Sequence, residues 1–176
     1  MIEYLRTKFA NRVINRALKN KSAPNRSFKN LLSNSTSFFV ILPETESDFQ
    51  KSKEVISFLK KHKKITSILT FDFRRNEFLK SQFRDIVVYG LVDYSKLNLP
   101  SQRLTNELKS KEYDAVIDLN RGENLFCSLA ANLVQSNLTI GFTKHDSDRF
   151  YNIQINDNEE SPEISYKNFI NCLQMF

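Results

Sequence analysis

Apolar residues along this chain gather in short blocks separated by polar stretches, and the spacing inside the blocks changes along the sequence. "FFVIL" at 38–42 is a continuous apolar run ended by Pro43, the pattern of a strand buried on both faces. "ITSILTF", "DIVVYG", "DAVIDLN" and "LTIGF" repeat it with β-branched residues, and "YNIQI" adds a shorter sixth block. Between the blocks the spacing is helical. Phe49, Val55, Ile56 and Leu59 recur behind N-cap candidates Thr45 and Ser47. Ser101 caps "SQRLTNELKSKEY", and Leu125, Leu129 and Leu133 with Ala130 and Ala131 predict a helix over 122–136. Ser161 and Pro162 open a last helix along Ile164, Phe169, Ile170 and Leu173. "DFRRNEFLKSQFR" is predicted as a short helix.

Strands alternating with crossover-length helices define an α/β domain: a three-layer, Rossmann-like, mostly parallel sheet of five to six strands. It is expected to fill residues 37–176. Residues 1–20 place Ile2, Leu5, Phe9, Val13 and Ala17 at steps of three or four, with Arg6, Arg12, Arg16 and Lys19 largely off that stripe, which predicts a basic amphipathic helix. Residues 21–36, rich in Ser and Asn and containing Pro24, read as a connector.

Charge sharpens this division. The net charge is +6, yet residues 1–30 hold eight basic side chains against Glu3 alone, so the remaining 146 residues carry 18 basic and 19 acidic groups. The basicity belongs to the arm. With 40% hydrophobic residues in 176, the chain can bury a core without metal or disulfide staples. Cys127 and Cys172 are far apart, lack CxxC spacing and read as small hydrophobes of a reducing compartment. No apolar run approaches the length of a spanning helix.

In sheets of this kind ligands lie at the carboxyl ends of the strands, where strand order reverses. That rule selects the loops "PETES" after the first strand and "NRGEN" after the fourth, which face each other in the conventional order. Glu46 and Asp48 are the weak catalytic candidates, weighed against a role as first-turn partners of the helix dipole. Asn120, Arg121, Gly122, Asn124 and Thr143 are the ligand-binding candidates; Arg121 and Gly122 would offer a guanidinium and backbone amides to an anion. Asp118, inside an apolar strand, reads as structural, capping the next helix or accepting from loop amides. The three glycines, Gly90, Gly122 and Gly141, are scattered, so a dinucleotide fingerprint and a phosphate loop are both absent. Neither His62 nor His145 has a partner at ligand spacing, and no metal or other cofactor is expected.

"YDAVIDLN…LAANLVQSNLTIGF" resembles the N-terminal Rossmann-like domain of family 9 glycosyltransferases, the heptosyltransferases of lipopolysaccharide assembly, in which an Asp-bearing strand leads through an Ala/Leu-rich helix to a strand ending in IGF. The likeness spans roughly residues 37–142, and its last third is the specific part. The chain also resembles short uncharacterised bacterial proteins that keep this half-fold behind a basic N-terminal helix. The resemblance implies a first strand followed by Gly-Asp, whose Asp is the proposed base, and a second domain that binds the nucleotide-sugar. "ILPETESDF" has no Gly-Asp, Asp48 comes late in the turn, and a second domain is not expected within these residues.

The resulting expectation is a non-catalytic, heptosyltransferase-like binding or scaffold module, cytoplasmic or peripheral at the inner membrane. Arg6, Lys8, Arg12, Arg16 and Lys19 would dock it on an anionic membrane surface, or the arm would bind another protein or, through charge alone, RNA without DNA specificity. The alternatives are a glycosyltransferase completed by a second domain from another chain, as a hetero- or homo-oligomer, a helix that simply packs on its own domain, and a transit segment at 1–20.

Overall fold

The computed structural model describes residues 12, 14, 15, 18, 31–78, 82–157 and 161–175. A helical turn, Leu31–Asn34, leads into six strands: β1 Ser37–Ile41, β2 Ile65–Phe71, β3 Ile86–Tyr89, β4 Glu112–Asp118, β5 Gln135–Phe142 and β6 Ile153–Ile155. All pair in parallel in the order β3-β2-β1-β4-β5-β6. Order reverses between β1 and β4, which run side by side from Phe38 opposite Ala115 to Ile41 opposite Asp118.

Side-chain alternation along β1 builds both layers. Phe38 and Val40 enter one core with Phe49 and Leu59 of helix α1 (Glu46–Lys61) and Phe169 and Leu173 of helix α4 (Pro162–Met175). Phe39 and Ile41 enter the other, with Leu104 and Leu108 of α2 (Gln102–Lys109) and Phe126 and Ala130 of α3 (Leu125–Leu133). Each buried Phe or Leu contributes about 1.5–3 kcal/mol relative to exposure, so two dry layers stabilise the sheet from both sides.

Caps fix the helix starts. Ser101 Oγ accepts from the Leu104 amide at 3.3 Å, and Asn124 Oδ1 accepts from the Cys127 amide at 3.0 Å. Thr45 stands at the N-cap of α1, but its hydroxyl donates to Asp48 at 2.8 Å instead of receiving a backbone amide. The helix expected over 122–136 is shorter, 125–133, because Gln135 and Ser136 already pair with Glu112 and Tyr113 and lengthen β5. After β2, a 3₁₀ segment, Asp72–Glu77, replaces the expected helix; Arg74 is drawn inward there over the Phe49 ring, 3.9 Å from its centroid.

The β5–β6 connection, residues 143–152, contains only a 3₁₀ turn at Ser147–Arg149. The N-terminal segment covers this face. Arg12, Ile14, Asn15 and Leu18 are helical, Ile14 is fully buried in the layer that holds Phe150 and Tyr151, and Leu18 packs against that layer. Arg149 donates to Asn15 Oδ1 at 3.0 Å. The inward positions 14 and 18 lie one residue beyond the expected stripe, whose members Ile2, Leu5, Phe9, Val13 and Ala17 lie outside the described residues.

One carboxylate ties the start of β1 to β4. Asp114 Oδ2 accepts from the amides of Thr36 (2.8 Å) and Ser37 (2.9 Å) and from both hydroxyls. Partial burial works against ionisation, but the Ser37 and Thr36 hydrogen bonds outweigh it and hold the Asp114 pKa below its ordinary value. A depressed folded-state pKa stabilises above the unfolded carboxylate range, and the stabilisation disappears as pH falls through the folded value. Asp114→Asn is therefore expected to lose about 1–2 kcal/mol near pH 7. Urea unfolding of both proteins should show that difference shrinking as pH drops below 4.

Candidate functional site

The carboxyl ends of β1, β4 and β5 converge on a polar cluster under an open groove. At its base lies Asp118, the last residue of β4, with no exposed surface. Its Oδ1 accepts from the Asn120 amide (3.0 Å) and Nδ2 (2.7 Å), the loop-amide role expected from the sequence. Its Oδ2 accepts from Tyr151 Oη at 2.5 Å and from Lys144 Nζ at 3.3 Å. The Lys144 side chain is only 4% exposed, so two opposite charges are buried together. Such a pair holds only when each member is compensated, because removing one leaves an uncompensated charge in a dry site.

Tyr151 extends the cluster to Ser128, whose hydroxyl lies 2.7 Å from its own. Burial, and then the adjacent Asp118 charge, push the Tyr151 pKa far up, so the phenol stays a proton donor. Its ring lies flat against β5 over Gly141; a Cβ at Gly141 would come within 2.8 Å of ring carbons. Gly141 is thus fixed by ring packing and does not serve phosphate binding. Cys127 is fully buried close by, and burial followed by the Asp118 charge raises its pKa, making it a poor nucleophile.

A second cluster forms at Glu44, just beyond β1. Glu44 Oε1 accepts from Tyr89 Oη at 2.8 Å and from Tyr94 Oη at 3.0 Å. Burial first, with the Glu44 charge contributing, raises both phenol pKa values. Phe126 stacks on both rings, 4.8 Å from Tyr89 and 4.4 Å from Tyr94, and the two tyrosines lie 6.3 Å apart. The groove above, about 540 Å³, is lined by Glu44, Leu91, Tyr94, Asn98, Asn124 and Phe126, among others. A stacked aromatic floor ringed by two carboxylates, Glu44 and Glu123, and the amides of Asn98 and Asn124 suits a hydroxyl-rich ligand and repels phosphate.

The remaining candidates are engaged in internal contacts. Glu46 bonds Gln50 (2.6 Å) and Arg74 (2.9 Å), and those two partners, in that order, lower its pKa. Asp48 Oδ1 pairs with Arg121 at 3.3 Å. Arg121 also donates through Nε to Asp157 at 2.7 Å, and Asp157 accepts from Ser165 at 2.6 Å, so this guanidinium fastens α1 to the start of α4. Gly122 is exposed with open space around its Cα, and its φ is not positive, so nothing local demands glycine. Asn124 caps α3, and Thr143 is exposed, its amide bonded to Ile155 O at 2.9 Å. Asp48, Asn120, Arg121 and Asn124 are thus brought to one edge, chiefly as structural partners. Of the docking residues, Arg12 is exposed on its helix, whereas Arg6, Lys8, Arg16 and Lys19 lie outside the described residues. Among the described residues no group of three or more His, Cys, Asp or Glu side chains is arranged to hold a metal.

The sequence did not single out Tyr89, Tyr94, Ser128 or Tyr151. The only available signal was a tyrosine in an otherwise apolar block, as in "VVYG" and "FYNIQI", which implies a buried hydroxyl in need of a partner.

An all-parallel six-strand sheet with its crevice at the β1/β4 reversal defines a Rossmann-like domain. The chain belongs to a family of unknown function, DUF6913, whose model matches residues 6–176. No protein with a curated description matches it. Its fold is similar to that of a glycosyl transferase family 9 protein from Veillonella parvula DSM 2008, with a TM-score of 0.64 and 15% identity over 80% of this chain. The match covers 42% of that protein, so this chain corresponds to less than half of its length.

The buried pair gives a direct test. Lys144→Met should cost about 3–5 kcal/mol by stranding Asp118, while Lys144→Met combined with Asp118→Leu should recover part of the loss, measured as urea midpoints. Gly141→Ala should also lower the midpoint, and near-ultraviolet circular dichroism should report the displaced Tyr151 ring.

Proposed function

We propose that this chain is a non-catalytic binding module built on the half-fold it shares with family 9 glycosyltransferases, docked on an anionic surface by its basic N-terminal helix. The observation that carries this reading is the engagement of the crevice carboxylates. Glu44 receives two phenols, Glu46 and Asp48 are bound to Arg74 and Arg121, and Asp118 is matched by Lys144 and Tyr151. A general base must reach a substrate proton with a free lone pair and a matched pKa, and these groups are held by internal donors.

What the site retains is a groove suited to a polyhydroxylated ligand. Docking would rest on charge more than insertion, since Ile14 and Leu18 already face the domain. No described helix is long and apolar enough to cross a membrane. In the full-length chain, changing Arg6, Lys8, Arg12, Arg16 and Lys19 to Gln is expected to reduce co-sedimentation with phosphatidylglycerol-containing vesicles by more than tenfold, and raised salt should weaken the unmodified protein in the same direction. Unchanged sedimentation would refute the docking.

A second reading, a glycosyltransferase completed by another chain, is favoured by one feature. Leu91 and Val92 are 81% and 89% exposed beside the groove, on a turn braced by Asp93, which is buried and bound by Arg103 at 2.6 Å. Two apolar side chains on so firm a mount suit a protein partner. Under this reading Asp48→Asn with Arg121→Gln abolishes sugar transfer by the assembled complex; under the first, that double variant leaves vesicle binding intact.

A further inference from the structure

The domain is electrically polarised along its strands, although its net charge is nearly zero. Exposed charges at the crevice edge are mainly acidic: Glu46, Asp72, Glu77, Glu123, Asp146 and Asp148, against Arg75, Lys96 and Arg103. At the opposite edge, where strands begin, Lys61, Lys63 and Lys109 are exposed and have no carboxylate partner among the described residues. The acids there are largely engaged, Asp85 by Lys111 and Asp114 by Ser37 and Thr36, leaving Glu112 exposed.

Lys63 is the informative residue. It closes α1 in a left-handed conformation (φ 56°), with its own amide bonded to Lys60 O (2.8 Å) and the Lys64 amide to Leu59 O (3.0 Å). That is a Schellman-type ending, in which glycine carries no Cβ penalty. Here an exposed lysine occupies the strained position.

Apolar tips accompany these lysines. Ile65, which opens β2 next to them, is 48% exposed, and Met175 is 83% exposed. Helices α1 and α4 both descend from the crevice edge on one face and touch through Lys51 and Glu163 at 3.5 Å. Both helices run toward the strand-start edge, α1 ending at Lys61 and α4 at Met175. Ser35 and Thr36, which lead into β1, lie at this same edge, since Lys64 Nζ donates to Ser35 O at 2.8 Å and the Ile65 amide to Thr36 O at 2.8 Å.

We infer that the strand-start edge is a membrane-facing surface, with Lys61, Lys63 and Lys109 meeting anionic headgroups, Ile65 and Met175 at the interface, and the crevice held away from the bilayer. This rests on the docking reading above and adds an orientation to it. Lysines interleaved with aliphatic tips fit a lipid surface better than RNA, because among the described residues the edge offers no exposed aromatic ring except the imidazole of His62, which is tilted against Phe58.

The test uses full-length protein and vesicles of phosphatidylcholine with or without 30% phosphatidylglycerol. The variant Lys61→Gln/Lys63→Gly/Lys109→Gln should keep or raise the thermal midpoint, because glycine relieves the left-handed position. It should bind anionic vesicles at least tenfold more weakly, from about fivefold per charge. Wild-type binding by this variant, with binding lost in the arm variant, overturns the edge inference and leaves the docking reading standing. Wild-type binding by both defeats both. Retention on single-stranded RNA without vesicle binding also overturns it. In a Cys172→Ser background, an environment-sensitive dye at Ser110→Cys should shift to the blue on anionic vesicles and one at Gly122→Cys should not; the reverse pattern sinks the orientation.

Discussion

A carboxylate buried without exposed surface at the end of β4 constrains this molecule more than any other group. Asp118 sits where strand order reverses, and burying its charge obliges the chain to bring a cation and strong donors to it. Lys144 must therefore fold back from the end of β5, and Tyr151 must lie flat on that strand. Gly141 must be bare to admit the ring. The close course of the β5–β6 connection follows from these three demands, and so does the space on that face which the N-terminal helix covers.

The same cluster underlies the proposed absence of catalysis. Phenols whose pKa values are driven up by burial remain donors, and their proton-donating ends point at carboxylates. Glu44, Glu46, Asp48 and Asp118 are held by internal donors, whereas Glu123 at the groove is exposed. The groove presents an aromatic floor, amides and carboxylates. On the proposed reading, recognition and reactivity have separated on one scaffold, which is how shared folds come to host unrelated roles.

The sequence made the layers legible because apolar blocks alternate with helical spacing, giving five to six strands, and the conventional order for such a chain then places the crevice between β1 and β4, as the six-stranded sheet has it. Element edges were less legible. Gln135 and Ser136 look like a helix end by polarity, yet the parallel ladder with Glu112 and Tyr113 claims them. The short helix expected after β2 gave way to 3₁₀ geometry once Arg74 turned inward onto Phe49. Within the site, acids and Arg121 were visible as residue types, but their partners were not. Asp48–Arg121 spans 73 residues and Asp118–Tyr151 spans 33. Pairing over such distances is set by packing, and no local pattern encodes it.

The hydrogen bond between Arg149 and Asn15 joins residues 134 positions apart. During synthesis Ile14 leaves the ribosome well before Phe150, part of the surface that receives it. The helix that carries Ile14 therefore waits, with that side chain unsheltered, until residue 150 has been translated. A nascent chain stalled before residue 150 would lack part of that shelter, and the helix would be open to chaperones or to a bilayer during that interval.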